Sequence, residues 1–347
     1  MSELKDGEGS FRAKLPPIAE GVDRPLWSVM IPTYNCANYL RETLASVLVQ
    51  DPGPDLMQIE VVDDCSTRDD PEAVVREFGL GRVGFFRRPE NGGHIQNFQT
   101  CLERSRGHLV HLLHGDDCVR SGFYQELQAA FEERPDLGAA FCRHIYVDDR
   151  SHWQGISSLE QPESGPLDDW LERIALGQRI QTPSIVVRRE VYETLGMFDQ
   201  RLASGEDWEM WVRIAANYPF WYETEPLALY RVHQSSNTAR HTGTGQTLRD
   251  IRLAIEIIQP YLPASIAAGV AKRSSEHFAL EAIRYGVPDI LDRGEFAVAV
   301  VQLREALKCS HSPRVLLHTL LATGRLGKRW AQRWQHRLQK LASALRA

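Results

Sequence analysis

The sequence predicts an α/β fold, a mainly parallel sheet flanked by helices with a helical C-terminal region, on three observations. Short β-rich runs that are apolar on both faces alternate with stretches of helical period between Trp27 and Phe131. Those runs end in polar residues, at Thr33-Tyr34-Asn35, Asp63-Asp64 and His114-Gly115-Asp116-Asp117. From about Thr247 onward nearly everything reads as helix, with Pro260, Pro263, Pro288 and Pro313 as breakers.

Each element follows from local pattern. The first residues, up to about Arg24, are polar and aperiodic, with Gly7, Gly9, Pro16 and Pro17, and read as a mobile leader. Trp27 to Ile31 is a strand stopped by Pro32, and Leu40, Leu44, Val47 and Leu48 then share one helical face. Ile59 to Val62 runs into Asp63-Asp64, after which Asp70 and Pro71 supply an N-cap and a first-turn proline. Val83 to Phe86 leads to the turn Asn91-Gly92-Gly93, a helix from about Ile95 to Ser105, and a fourth strand ending at His114. Beyond Gly138 the pattern is mixed: strands at 139–147, 185–187 and 227–232, and helices at 170–176 and 206–216. Gly243-Thr244-Gly245 reads as a flexible loop, inside a segment (233–247) that reads either as a lid or as an ordinary mobile loop.

Composition bounds the class. With 43% hydrophobic and 25% charged residues in 347, the chain can bury a large core and a smaller one. Its longest apolar stretches fall far short of the roughly 20 residues that span a bilayer, and no apolar block like a signal peptide opens it. A cytoplasmic protein is expected, with peripheral contact at the inner face of a membrane as the alternative. Six scattered cysteines without a C-x-x-C read as reduced thiols. No acidic residue follows Glu305, and the nine cations there leave the rest of the chain at about −15. The last helix, with Trp330, Trp334, Leu338, Leu341 and Leu345 among basic residues, suits an anionic membrane, the acidic body or a homodimer. Nucleic acid is not expected, because no basic aromatic surface lies near the strand ends.

Polar residues at the carboxyl edge of a parallel sheet mark a ligand site. The first βα turn lacks G-x-G-x-x-G, and no P-loop is present, which argues against a dinucleotide and a Walker-type site. Asp116 suits Mg²⁺ or Mn²⁺ as a hard oxygen ligand. His108-x-x-His111-x-x-His114 is no three-histidine site, since alternation turns His111 to the opposite face.

The order of motifs resembles the inverting GT-A glycosyltransferases of family 2. The resemblance covers about Trp27 to Thr238 through Ser28 to Asn35, Val61 to Thr67, Asn91-Gly92-Gly93 with Asn97, Gly115-Asp116-Asp117, Gly205 to Trp208 and Tyr230 to His233. It implies a domain at 26–238, with a nucleotide-binding half (26–117) and an acceptor half (118–238), between a leader (1–25) and a helical region (239–347). Pro32 and Tyr34 would flank the base, Asp64 would accept its N–H, and Asn97 would place the ribose and phosphates. Asp116 and His233 would hold Mn²⁺ or Mg²⁺. His114, standing where the family has an aspartate, either joins the ligands or lines the sugar pocket. Asp117 would contact the ribose or a metal-bound water, or cap the helix that follows. Asp63 reads as a turn cap.

Asp207 would be the general base, Glu206 an acceptor or sugar contact, and Trp208 either a ring stacked on a sugar or a core residue. The implied reaction moves a sugar from a UDP- or dTDP-sugar to a hydroxyl of a saccharide, lipid-linked or other acceptor, in polysaccharide or glycoconjugate synthesis. The alternatives are a nucleotidyltransferase, for which the first turn lacks a basic glycine-rich loop, and a non-catalytic sugar-nucleotide-binding protein, which His114 motivates.

Overall fold

The computed structural model describes residues 11–234 and 236–344. Strand β1 (Trp27–Thr33) is buried along its whole length. Helix α1 (Ala37–Leu48) follows and buries Leu40, Leu44 and Val47, the face its period predicts. Strand β2 (Met57–Asp63) is equally buried. Helix α2 (Pro71–Gly79) opens on Asp70, whose Oδ1 accepts from Ala73 N at 3.1 Å, with Pro71 in the first turn where no N–H is needed. Strand β3 (Gly84–Arg87), helix α3 (His94–Arg104) and strand β4 (Leu109–Leu112) complete this half. β1 pairs in parallel with β2 and with β4, and β2 with β3.

The second half contains β5 (Cys118–Val119), α4 (Phe123–Glu133), β6 (Ala139–Val147), β7 (Trp153–Ile156), β8 (Gly165–Pro166), α5 (Trp170–Ala175), β9 (Ile185–Arg188), α6 (Arg189–Leu195), α7 (Glu206–Ala215) and β10 (Phe220–Arg231). The sheet runs β3-β2-β1-β4-β9-β6-β10-β5. It is parallel from β3 to β4 and mixed beyond: β9 is antiparallel to both neighbours, while β6 and β10 are parallel. Strand order reverses between β1 and β4, the switch point where a crevice opens at the carboxyl edge.

Three segments differ from expectation. Residues 11–16, expected in the leader, pack on the domain: Arg12 bridges Asp199, Met197 N donates to Ala13 O at 2.9 Å, and Leu15 is only 2% exposed. Backbone pairing of this kind leaves no periodic trace in sequence. β10 starts seven residues before the expected Leu227, because it pairs with β6 throughout and absorbs Pro226 in an irregularity of register. The expected loop at 243–245 belongs to a helix, α8 (Asn237–Thr244), capped by Ser236 and ended by Gly245 at φ +73°.

The chain divides into two compact units. The first holds the sheet, up to Ile174 with Gln178–Arg201 and Glu206–His233. The second is helical, comprising α8, α9 (Gln246–Ile258), α10 (Ala264–Glu281), α11 (Val287–Asp292), α12 (Phe296–Cys309) and α13 (Pro313–Ala344), with two short segments at 175–177 and 202–205. Pro313 opens α13, whereas Pro288 follows a π-helical turn (Ala282–Gly286) through which α10 runs on into α11. Leu248, Ile251, Ala254, Ile255 and Ile258 form the buried stripe of α9. Among the described residues no helix is long and apolar enough to cross a membrane. The side chains of the expected basic amphipathic end of α13, from Lys328 onward, lie outside the described residues except for Gln335, and so does Leu345.

Candidate active site

Register brings the polar strand ends together. Trp27 pairs with both Met57 and Leu109, so Thr33 lies beside Asp63 and the chain leaving β4 runs alongside Pro32. Leu113 N donates to Met30 O and Gly115 N to Pro32 O, each at 3.0 Å. The approach leaves no room for a side chain at 115, where a Cβ would lie 2.6 Å from Thr33 Oγ1. Asp117 N then donates to His114 O at 3.0 Å and closes the turn.

This turn forms the first cluster. His114, Asp116 and Asp117 each offer a ligand atom, and these atoms lie within 4.8 Å of one another. Among the described residues His114 Nε2 is buried without a hydrogen-bond partner, and so is Asp117 Oδ2, which lies 3.6 Å from His114 Nδ1. Such orphans are costly unless something fills the space. A divalent cation fits them, and one nitrogen with two carboxylates suits Mn²⁺ better than Mg²⁺. His233 stands just outside the cluster, its Nε2 2.9 Å from Asp116 Oδ2.

Burial favours a protonated Asp116, but the hydrogen bond from His233 and the nearby His114 outweigh it and hold its carboxyl below the usual range. Burial and the neighbouring Asp116 push Asp117 well up. Burial lowers the pKa of His114, whose ring stacks on Phe98 at 5.1 Å.

Arg231 holds this corner, a role the sequence reading did not assign it. Its backbone N–H donates to Asp117 Oδ1 at 2.8 Å and its Nε to Asp116 O at 2.7 Å. The guanidinium, 1% exposed, also binds Asp148 O, Ser151 Oγ and Glu42 Oε2 and lies over the Tyr39 ring. The only signal in sequence is a lone arginine two residues before His233.

The residues expected around a nucleotide lie at the ends of β1 to β3 and in α3. Tyr34 is 40% exposed beyond the buried Pro32. Asn35, at φ +51°, accepts from Thr67 N and Arg68 N at 2.9 Å and so ties the ends of β1 and β2. Asp63 caps its turn through Ser66 N and Oγ and pairs with Arg87. Asp64 accepts from Gly92 N at 3.0 Å and Gly93 N at 2.9 Å and pairs with Arg88. With about four lone-pair positions on a carboxylate, these contacts leave Asp64 room to accept about one more hydrogen bond. Asn97 is 3% exposed and donates to Val62 O, its Oδ1 without a partner among the described residues. Arg88 lay outside the sequence reading, having no motif around it.

The second cluster opens α7. Glu206 Oε1 lies 3.2 Å from His94 Nε2. Burial opposes ionisation of Glu206, but the His94 imidazole holds its carboxyl below the usual range. Burial and then the Glu206 charge push Asp207 up to about 7. Asp207 Oδ1 accepts from Trp208 N at 2.7 Å and Oδ2 from Gln178 Nε2 at 2.6 Å. The clusters are linked, because Phe98 packs on His94 at 5.6 Å and on His114 at 5.1 Å. His94 and Gln178 were missed: both lie in loops or helix starts without a catalytic spacing.

Trp208 is a correction to the sugar-contact expectation. It is 0% exposed and its indole N–H donates to Ile174 O at 2.7 Å, so its ring is core. His111 is likewise structural, between Tyr124 OH and Pro183 O, and burial pushes its pKa down to about 3.

Residues 28–196 match the family model for glycosyl transferase family 2. Those residues are similar to that family. The chain is similar to an uncharacterized glycosyltransferase of Rickettsia typhi, 26% identical over 218 residues, which span 62% of this chain and 67% of that protein. Its fold is that of S. aureus TarS 1-349 in complex with UDP-GlcNAc, with a TM-score of 0.62 at 17% identity over 88% of this chain and 89% of that one. Of a longer TarS structure the match spans 50%. A mannosyltransferase of Pyrobaculum calidifontis, in complex with GDP-Man and Mn²⁺, shares the fold with a TM-score of 0.53 at 18% identity, over 87% and 80% of the two chains.

Proposed function

We propose that this chain is an inverting glycosyltransferase that moves a sugar from a nucleoside-diphosphate sugar, UDP- or dTDP-linked, to an acceptor hydroxyl by single displacement. One observation carries the reading: Asp207, with a pKa of about 7, is joined through Glu206, His94 and Phe98 to the His114, Asp116 and Asp117 corner. A base poised near working pH beside a cation corner is what glycosyl transfer from a diphosphate requires. The fold neighbours, one with UDP-GlcNAc and one with GDP-Man and Mn²⁺, support a nucleotide-sugar donor.

Asp207 takes the proton of the acceptor hydroxyl while that oxygen attacks the anomeric carbon on the face opposite the diphosphate, which inverts the centre. Positioned proton transfer of this kind contributes on the order of 10²–10⁴-fold. Glu206, kept anionic by His94, contacts the acceptor or donor sugar. Asp64 accepts the base N–H while Pro32 and Tyr34 flank the ring, and Asn97 and Asp117 face the ribose. Asp116 and His233, with His114 alongside, would hold Mn²⁺ or Mg²⁺. When bound, that ion supplies charge stabilisation for the departing diphosphate.

The test is to incubate the chain with a panel of sugar nucleotides and saccharide acceptors, with Mn²⁺ or EDTA. Release of nucleoside diphosphate is followed, and the anomeric configuration of the product is read by proton NMR. Inverted product, dependent on Mn²⁺, is expected. Retained configuration overturns single displacement, and full turnover in EDTA overturns the metal.

A further inference from the structure

The Asp207 carboxylate is gripped at both oxygens, by Trp208 N–H on Oδ1 at 2.7 Å and by Gln178 Nε2 on Oδ2 at 2.6 Å. Thr182 Oγ1 is 3.5 Å from the same Oδ2. An ionised carboxylate only accepts, so the Gln178 amide must turn its nitrogen towards Asp207. That choice commits the other end of the amide: Gln178 Oε1 is buried and has no hydrogen-bond partner among the described residues. A buried acceptor left over beside a base is the complement of a ligand hydroxyl.

We propose that Gln178 is the positioning residue of the base, its Nε2 fixing the plane of the Asp207 carboxylate and its Oε1 accepting a hydrogen bond from a hydroxyl of the acceptor. The inference rests on the glycosyl-transfer reading above. Gln178 reads the acceptor and not the donor, because its side-chain hydrogen bond among the described residues goes to the base. Burial first sets the titration of Asp207, and the charged groups that act on it are Glu206 beside it and His94, which pairs with Glu206. Gln178 is uncharged and acts on that titration by stabilising the anion through its N–H. Removing that bond makes the base harder to ionise.

The test has two arms, both on the full chain. In ¹⁵N-labelled protein without ligand, the Gln178 side-chain amide is identified by its loss in Gln178→Met. It is expected to titrate with Asp207 and to stay flat in Asp207→Asn; an amide that ignores Asp207 overturns the proposal. In turnover assays, Gln178→Met is expected to move the acid limb of the pH profile up by about one unit and raise the acceptor KM about 10-fold. Donor affinity by calorimetry stays unchanged. An unmoved acid limb and acceptor KM in an active, folded Gln178→Met overturn the role of Gln178. No turnover by the wild-type chain, with a titrating amide, overturns the transfer reading instead and leaves the grip of Gln178 on Asp207 standing.

Discussion

His233 Nε2 lies 2.9 Å from Asp116 Oδ2, although 117 residues separate them. The contact joins the turn after β4 to the end of β10, and Arg231 joins the same two segments again through Asp116 O and Asp117 Oδ1. Two independent ties fix the corner against drift, which a metal site needs because ligand atoms misplaced by an ångström lose their geometry.

Asp116→Asn and His233→Ala should each weaken binding of Mn²⁺ alone by about 10- to 100-fold, the usual cost of losing a ligand or its orienting partner. Titration calorimetry, or the electron-spin resonance of free Mn²⁺, checks this directly. Equal affinity in all three proteins would remove Asp116 and His233 from the metal site.

The pH dependence follows from Asp207. Its carboxyl is the base only when ionised, so below about 7 kcat/KM should fall roughly tenfold per unit, and it should level off above. Asp207→Asn should abolish turnover while nucleotide binding persists. Stability carries the opposite sign. A folded pKa of about 7, against the ordinary 3.8, means that the folded state binds the extra proton between those values. The contribution of Asp207 is therefore full below the ordinary value and lost as pH rises towards 7. Asp207→Asn should then melt higher than wild type at pH 8 by differential scanning calorimetry, and a lower melting point there would contradict the raised pKa.

Gly115→Ala places a Cβ 2.6 Å from Thr33 Oγ1 and 3.1 Å from Cys36 Sγ. Overpacking at such a site costs about 1–3 kcal/mol, and the displaced turn carries Asp116 with it. Urea melts should show the loss of stability together with weakened Mn²⁺ binding. A variant with wild-type stability and metal affinity would mean that the two segments are not in contact.

Trp208→Phe keeps most of the ring and removes the N–H that satisfies Ile174 O. A buried carbonyl left unpaired costs about 1–3 kcal/mol, so the midpoint in urea should drop while turnover per folded molecule stays near wild type. The reverse pattern, intact stability with lost turnover, would restore Trp208 as a sugar contact.

The local pattern was readable wherever one residue acts on its own neighbourhood. The face of α1, the Asp70 cap with Pro71, the strand that ends in Asp63 and the existence of β4, which stops at Leu112 two residues short of the expected His114, are all of this kind. The cap expected of Asp63 was equally local. What escaped was mostly made by distant parts. β10 reached back to Phe220 because β6 was there to pair with it. Residues 11–16 docked through backbone bonds to residues 197–200. The loop expected at 243–245 was helix, a local signal in Ser236 and Gly245 that was misread.

By itself the chain determined that the carboxylates following its first strands would gather at one sheet edge, because parallel strands point their carboxyl ends the same way and polar residues follow them. Period and residue type decide that much without reference to the rest of the molecule. Only the tertiary structure decided how each carboxylate ionises. Asp207 is held near 7 because burial and the Glu206 charge raise it. Asp116 stays anionic because His233 lies against it, and Trp208 is core because Ile174 O takes its N–H. Ionisation and hydrogen-bond partnership depend on distance in space, and sequence separation carries almost none of that information.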